Sequence, residues 1–93
     1  MDRVYGSFVW DIDKAALNLR KHKVDFTEAV WVFADPRRKI FVDAKHSAAE
    51  ERLFCIGKVG SRVITVRFTV RADKIRIIGA GLWRKGIHAY EKD

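Results

Sequence analysis

The chain has one cysteine and one proline in 93 residues. A single thiol excludes an internal disulfide. Cys55 sits in the apolar run Leu53-Phe54-Cys55-Ile56 and reads as a buried, inert side chain. With only Pro36, no repeat and no low-complexity segment, there is no candidate linker, so residues 1–93 are expected to form a single domain. No apolar run is long enough to cross a bilayer or to serve as a signal peptide, and a reducing cytoplasm is the expected compartment. Acidic residues are scarce in one half only. Residues 1–51 hold nine Lys/Arg and nine Asp/Glu, whereas residues 52–93 hold ten Lys/Arg against Asp73, Glu91 and Asp93. The whole net charge of +7 therefore falls in the second half. Its cations alternate with β-branched and aromatic residues, which excludes a disordered basic tail. They belong to strands that present a cationic surface, and the usual partner of such a surface is nucleic acid.

The first half reads as helical. Asp11 caps a helix whose apolar stripe is Ile12, Ala15, Ala16 and Leu19 and which fades at His22 and Lys23. Asp25-Phe26-Thr27-Glu28 has capping-box spacing, and Phe26, Ala29, Val30 and Phe33 share the next helical face. Asp35-Pro36 stops it. The period then changes to two. Strands are expected at Lys39–Val42, Leu53–Val59, Val63–Val70 and Ile75–Ile78, with turns at Gly60-Ser61 and Ala72-Asp73. Ser47–Glu50 reads as a capped turn of helix or as loop. Gly79-Ala80-Gly81 is expected to break the fourth strand, and a last helix to run from Leu82 to Lys92. The predicted class is α+β in the order ααββββα, a four-stranded antiparallel meander with helices before and after it.

Alternation along the third strand puts Ile64, Val66, Phe68 and Val70 on the core face. Thr65, Arg67, Thr69 and Arg71 fall on the other, where no Asp or Glu alternates with them. Lys74 and Arg76 join that face across the turn, and Arg84, Lys85 and His88 lie along its edge. Guanidiniums so arranged grip phosphates and stabilise a pentavalent phosphate transition state without a metal. The pattern also fits a solvated face in which Arg and Lys stems cover apolar surface. No cofactor or metal motif is present. His22, His46 and His88 are far apart, and Asp11 and Asp13 read as capping and solvated. His22 reads as a helix-end cap, and His88 as the better acid or base. Trp10 and Trp31 read as core or partner contacts. Trp83 stands beside the basic groove, as a packing residue or a platform for a base.

Phe8-x-Trp10-Asp11, Lys14, Asn18, His22-x-Val24-x-Phe26-x-Glu28-Ala29, Phe33-x-Asp35-Pro36, Glu51-Arg52, Ile56-Gly57, Thr69-x-Arg71 and Ile75-Arg76-Ile77-Ile78 follow one another in register. In this the chain resembles the BrnT toxins from Phe8 to Glu91. The resemblance implies a RelE-like fold and ribonuclease activity within a type II toxin–antitoxin pair. It also implies a BrnA-type antitoxin with a ribbon-helix-helix domain, two toxins assembling with two antitoxins, and DNA contacts made through the antitoxin only. Many members carry an arginine after the fourth strand where this chain has Gly81, and Arg84 is the candidate replacement. The expected activity is RNA cleavage by 2′-hydroxyl attack. Arg67, Arg71, Arg76 and Arg84 would hold the phosphate, Lys85, His88 or Tyr90 would move protons, and Thr69, Lys74 and Trp83 would bind RNA. The rival expectation is a module that binds nucleic acid or antitoxin without catalysis.

Overall fold

The computed structural model describes residues 1–92. The elements run β1 (Asp2–Tyr5), β2 (Phe8–Asp11), α1 (Ile12–His22), α2 (Phe26–Val30), β3 (Lys39–Val42), β4 (Leu53–Val59), β5 (Arg62–Arg71), β6 (Lys74–Gly81) and α3 (Arg84–Glu91). Short 3-10 turns occupy Trp31–Ala34 and Ala44–His46. All the strands form one six-stranded mixed sheet in the order β1-β2-β6-β5-β4-β3. No helix among the described residues is long and apolar enough to cross a membrane.

The sheet corrects the expected four-stranded antiparallel architecture. The chain starts with a hairpin ahead of the first helix, and its second strand lies parallel to β6 through Phe8↔Ile75 and Val9↔Arg76. The order is therefore ββααββββα. Gly6-Ser7 just ahead of the apolar run Phe8-Val9-Trp10 is a hairpin signal, and Gly6 adopts the φ of 61° that such a tight turn requires. The hairpin converts β6 from an edge strand to a central one, and β6 continues through the two glycines to Gly81 instead of breaking at Gly79, held there by pairing with β5 through Arg67↔Gly79, Val66↔Ala80 and Thr65↔Gly81. The segment Ser47–Glu50 is loop; the helical turn in that region is the 3-10 turn just before it.

β2 covers the outer edge of β6 only as far as Arg76. Beyond it, buried Asn18 from α1 takes the place of a strand. Its Nδ2 donates to the Ala80 carbonyl at 2.9 Å, and its Oδ1 accepts from the Ala80 N–H at 3.1 Å. The same amide donates to the Val24 carbonyl at 3.0 Å, which ties the end of α1 to the next segment. A buried backbone edge left unpaired would cost about 1–3 kcal/mol per group, so this one side chain fixes α1 against the sheet.

The core lies on one face. Ile64, Val66 and Phe68 of β5, with Cys55 and Ile77, pack under Phe26, Ala29 and Val32 of α2 and the following 3-10 turn. Gly57 lets that turn close in, since a Cβ there would stand 2.7 Å from the Val32 carbonyl oxygen. Burial pushes the Cys55 thiol up to about 12, so it is inert at neutral pH. α3 packs on the opposite face, over Ile56 and Thr65. Lys39 holds it there by donating from Nζ to the Ala89 carbonyl at 2.8 Å and to the Lys92 carbonyl.

Candidate functional site

On the α3 side of the sheet, α3 covers only one end of the Thr65-Arg67-Thr69-Arg71 row. Beside it opens a groove of about 710 Å³ between α3, β3, β4 and the loop after β3. Its walls are apolar: Phe41, Phe54, Ile56 and Trp83. Its charged and titratable groups are Arg67, Lys85, His22, His46 and Asp43. Thr65 lies at its base under Gly86, and its buried hydroxyl has no hydrogen-bond partner.

The loop sets up one imidazole with care. Asp43 is buried, and its Oδ2 lies 2.8 Å from His46 Nδ1. The loop is closed by Ser47 Oγ, which donates to the Asp43 carbonyl at 2.6 Å and accepts from the Arg52 N–H at 2.9 Å. An ionised carboxylate only accepts, so in this pair Nδ1 is the donor, and in the neutral imidazole the other ring nitrogen is the acceptor. His22 enters from the last turn of α1 and meets Trp83 edge to face, with ring centroids 5.2 Å apart. The Trp83 indole lies over Gly81, where a Cβ would stand 2.6 Å from the ring. The departure at Gly81 thus has a structural reason: the space an arginine would need is filled by the tryptophan.

The structure divides the residues expected to form the site. It brings Arg67, Lys85 and Trp83 into the groove. Thr69 is buried, and its hydroxyl donates to the Glu51 carbonyl at 2.7 Å, so it anchors the loop. The expectation that the cationic face lacks balancing acids is corrected by two bidentate pairs. Arg71 donates to both oxygens of Glu50 at 2.9 and 2.7 Å, and Arg76 to both of Asp2 at 3.3 and 2.6 Å. These hydrogen bonds hold both carboxyls below the usual carboxylate range and raise both guanidiniums. Asp2 comes from the unforeseen hairpin, and Glu50 from a loop far from Arg71 in sequence. Lys74 is exposed and donates to the Gly6 carbonyl at 3.4 Å. Arg84 and His88 are exposed on α3 and do not line the groove.

Tyr90 is likewise outside the groove. Its hydroxyl donates to Asp35 Oδ2 at 2.6 Å, which lowers the Asp35 carboxyl and raises the phenol. Asp35 also accepts from the Arg37 and Lys58 N–H groups at 2.8 and 2.7 Å, so it joins the helix stop, β4 and α3. Sequence reasoning set His46 and Asp43 aside because it compared only the three histidines with one another. The local spacing Asp43-x-x-His46, which one 3-10 turn brings together, is the signal that would have found them.

The family model for "Ribonuclease toxin, BrnT, of type II toxin-antitoxin system" matches residues 10–86. No curated protein matches the chain at a significant level. The matched span starts in β2, ends in α3 and includes every residue named above as lining the groove. The chain belongs to the BrnT family of ribonuclease toxins of type II toxin–antitoxin systems, with RNA as its target and an antitoxin as its partner.

Proposed function

We propose that the groove beside α3 cleaves RNA by attack of a ribose 2′-hydroxyl on its own phosphate, with no metal ion taking part. The observation that carries this reading is the meeting of Arg67 and Lys85 with His46, an imidazole held by a buried carboxylate. The 2′-hydroxyl proton passes to the basic nitrogen of His46 as the bond from the 2′-oxygen to phosphorus forms. Arg67 and Lys85 offset the charge that builds on the phosphate oxygens. The bond from phosphorus to the 5′-oxygen then breaks, and His22, which enters the cycle as an imidazolium, gives its proton to the leaving oxygen while His46 keeps the one it took. The products are a 2′,3′-cyclic phosphate and a 5′-hydroxyl. Phe41, Phe54 and Trp83 offer flat apolar faces on which the bases beside the cleaved linkage stack.

The partner in this reading is a BrnA-type antitoxin, two copies assembling with two toxins, and the protein acts in the cytoplasm as a single toxin domain. The antitoxin neutralises by laying acidic residues over Arg67 and Lys85, and it supplies the DNA contacts of the assembly. Association is then steered by opposite charges and slows as salt rises.

Mass spectrometry of RNA fragments tests the chemistry. Cleavage in EDTA should leave cyclic phosphate ends, and His46→Ala should lower the rate by about 10²–10⁴ at a temperature where the variant is folded. A requirement for Mg²⁺ with 5′-phosphate ends, or full activity in His46→Ala, would defeat it.

A further inference from the structure

A second, smaller cleft of about 190 Å³ lies on the other side of Arg67, between α1 and β6. It shares Arg67, His22 and Trp83 with the large groove, so these three side chains form a saddle between the two. Its remaining cations are Lys14 and Lys21, both exposed on α1. Seven residues apart, they sit two turns from each other on one helix face. No acid lines the cleft. Asp11 is occupied by the Lys14 backbone N–H and the Met1 amine, and the Asn18 amide is committed to backbone groups. Gly79 keeps the floor low. A side chain there would project between Asn18 and Arg67, at 3.7 Å from the Asn18 oxygen and 3.9 Å from the Arg67 stem. The large groove has apolar walls suited to bases, whereas the small cleft is narrower and sets Lys14, Lys21 and Arg67 around Leu17, Ile78 and the edge of Trp83. This division suits a strand whose bases enter one side of a saddle and whose backbone leaves by the other.

We infer that the α1 cleft is a second phosphate subsite, which holds the RNA backbone next to the linkage cleaved in the groove. The inference rests on the groove reading and adds to it a required substrate length: one linkage fills the groove, but a longer single strand is needed to reach Lys14 and Lys21.

The test compares the parent with Lys14→Gln/Lys21→Gln, using a dinucleotide, a ten-nucleotide RNA and a 2′-O-methyl ten-nucleotide RNA that cannot be cleaved. The double variant should bind the 2′-O-methyl strand several-fold more weakly at low salt. Its slope of log affinity against log salt should be smaller by about 0.7, the value for one single-strand phosphate contact. On the cleavable ten-nucleotide strand KM should rise with little change in kcat, and dinucleotide cleavage should match the parent. Unchanged binding and salt slope would overturn the subsite, as would an equal loss on the dinucleotide. Failure of the groove reading shows separately, as an Arg67→Ala variant that cleaves RNA as fast as the parent. Binding to the 2′-O-methyl strand reports on the cleft even then.

Discussion

Arg67 and Arg71 stand on the same side of β5, about 13 Å apart along the strand, and they live in different surroundings. Arg71 is clasped by Glu50, and Arg76, diagonally across on β6, by Asp2, each through two hydrogen bonds. Arg67 faces a groove, and none of the six ion pairs among the described residues uses it or Lys85. A run of alternating cations therefore splits into an end already neutralised within the chain and an end left for a ligand. Charge counted along a sequence measures how many cations a surface has. The number available to a polyanion depends on which acids the fold brings back to them.

The sharpest way to break this comparison is to remove one arginine from each end. Arg67→Ala should lower RNA cleavage by about 10²–10³, the usual loss when one donor to a developing oxyanion is deleted. Arg71→Ala and Arg76→Ala should each cost less than about tenfold, because Glu50 and Asp2 already neutralise their charge. Rates on one RNA at fixed salt, with melting temperatures beside them, decide the point. Equal losses at both ends would show that RNA displaces Glu50 and Asp2.

Gly81→Ala probes the groove end through its wall. The new methyl meets the Trp83 ring at 2.6 Å, so the indole must shift from its edge-to-face seat against His22. Overpacking of this kind costs about 1–3 kcal/mol, and cleavage should fall by about tenfold as the saddle shifts. Tryptophan fluorescence should report the displacement. An unchanged spectrum with unchanged activity would contradict the seating of Trp83.

The smallest effect is expected at the neutralised end. The Glu50 carboxyl is held below its ordinary value chiefly by its hydrogen bond from Arg71. A lowered carboxyl stabilises the fold above its unfolded value of about 4.3 and loses that contribution as pH falls through the folded value. Melting temperatures of the parent and of Glu50→Gln should therefore differ slightly at neutral pH and converge below the ordinary carboxylate range. The same difference should shrink in high salt, since the pair is exposed. A gap that widens as pH falls would have the wrong sign for this pair.

Much of the fold was legible because local signals agree with it. Asp11 and Asp25 cap their helices as read, with side chains accepting from the Lys14 and Thr27 N–H groups. β3 and β4 begin and end where alternation and turn residues put them. The misreadings share a cause. The hairpin at Gly6-Ser7 is short and polar on its outer strand, so its apolar partner Phe8-Val9-Trp10 read as a prelude to α1. Gly79 and Gly81 read as strand breakers because glycine is weak in a strand interior. Here the missing side chain of Gly81 makes room for Trp83, and Gly79 pairs with Arg67 of β5, reasons that lie in tertiary contacts. For the site, Arg67, Lys85 and Trp83 were visible from alternation and position. Asp43 and His46 were not, because no period marks a loop. Tyr90 and Thr69 looked like chemistry and act as struts, since a hydroxyl's partner is decided by what packs against it.

The parallel pairing of β2 with β6 has a consequence in time. Residues 8 and 9 pair with residues 75 and 76, so the middle of the sheet waits for the last third of the chain to be made. The groove waits longer, because Lys85, Gly86 and Ala89 line it together with His22. A nascent chain can form α1 and the β3–β4 hairpin early and still hold no assembled site. On the groove reading, this ribonuclease is without its site during nearly all of its own translation, because of the order in which its strands emerge.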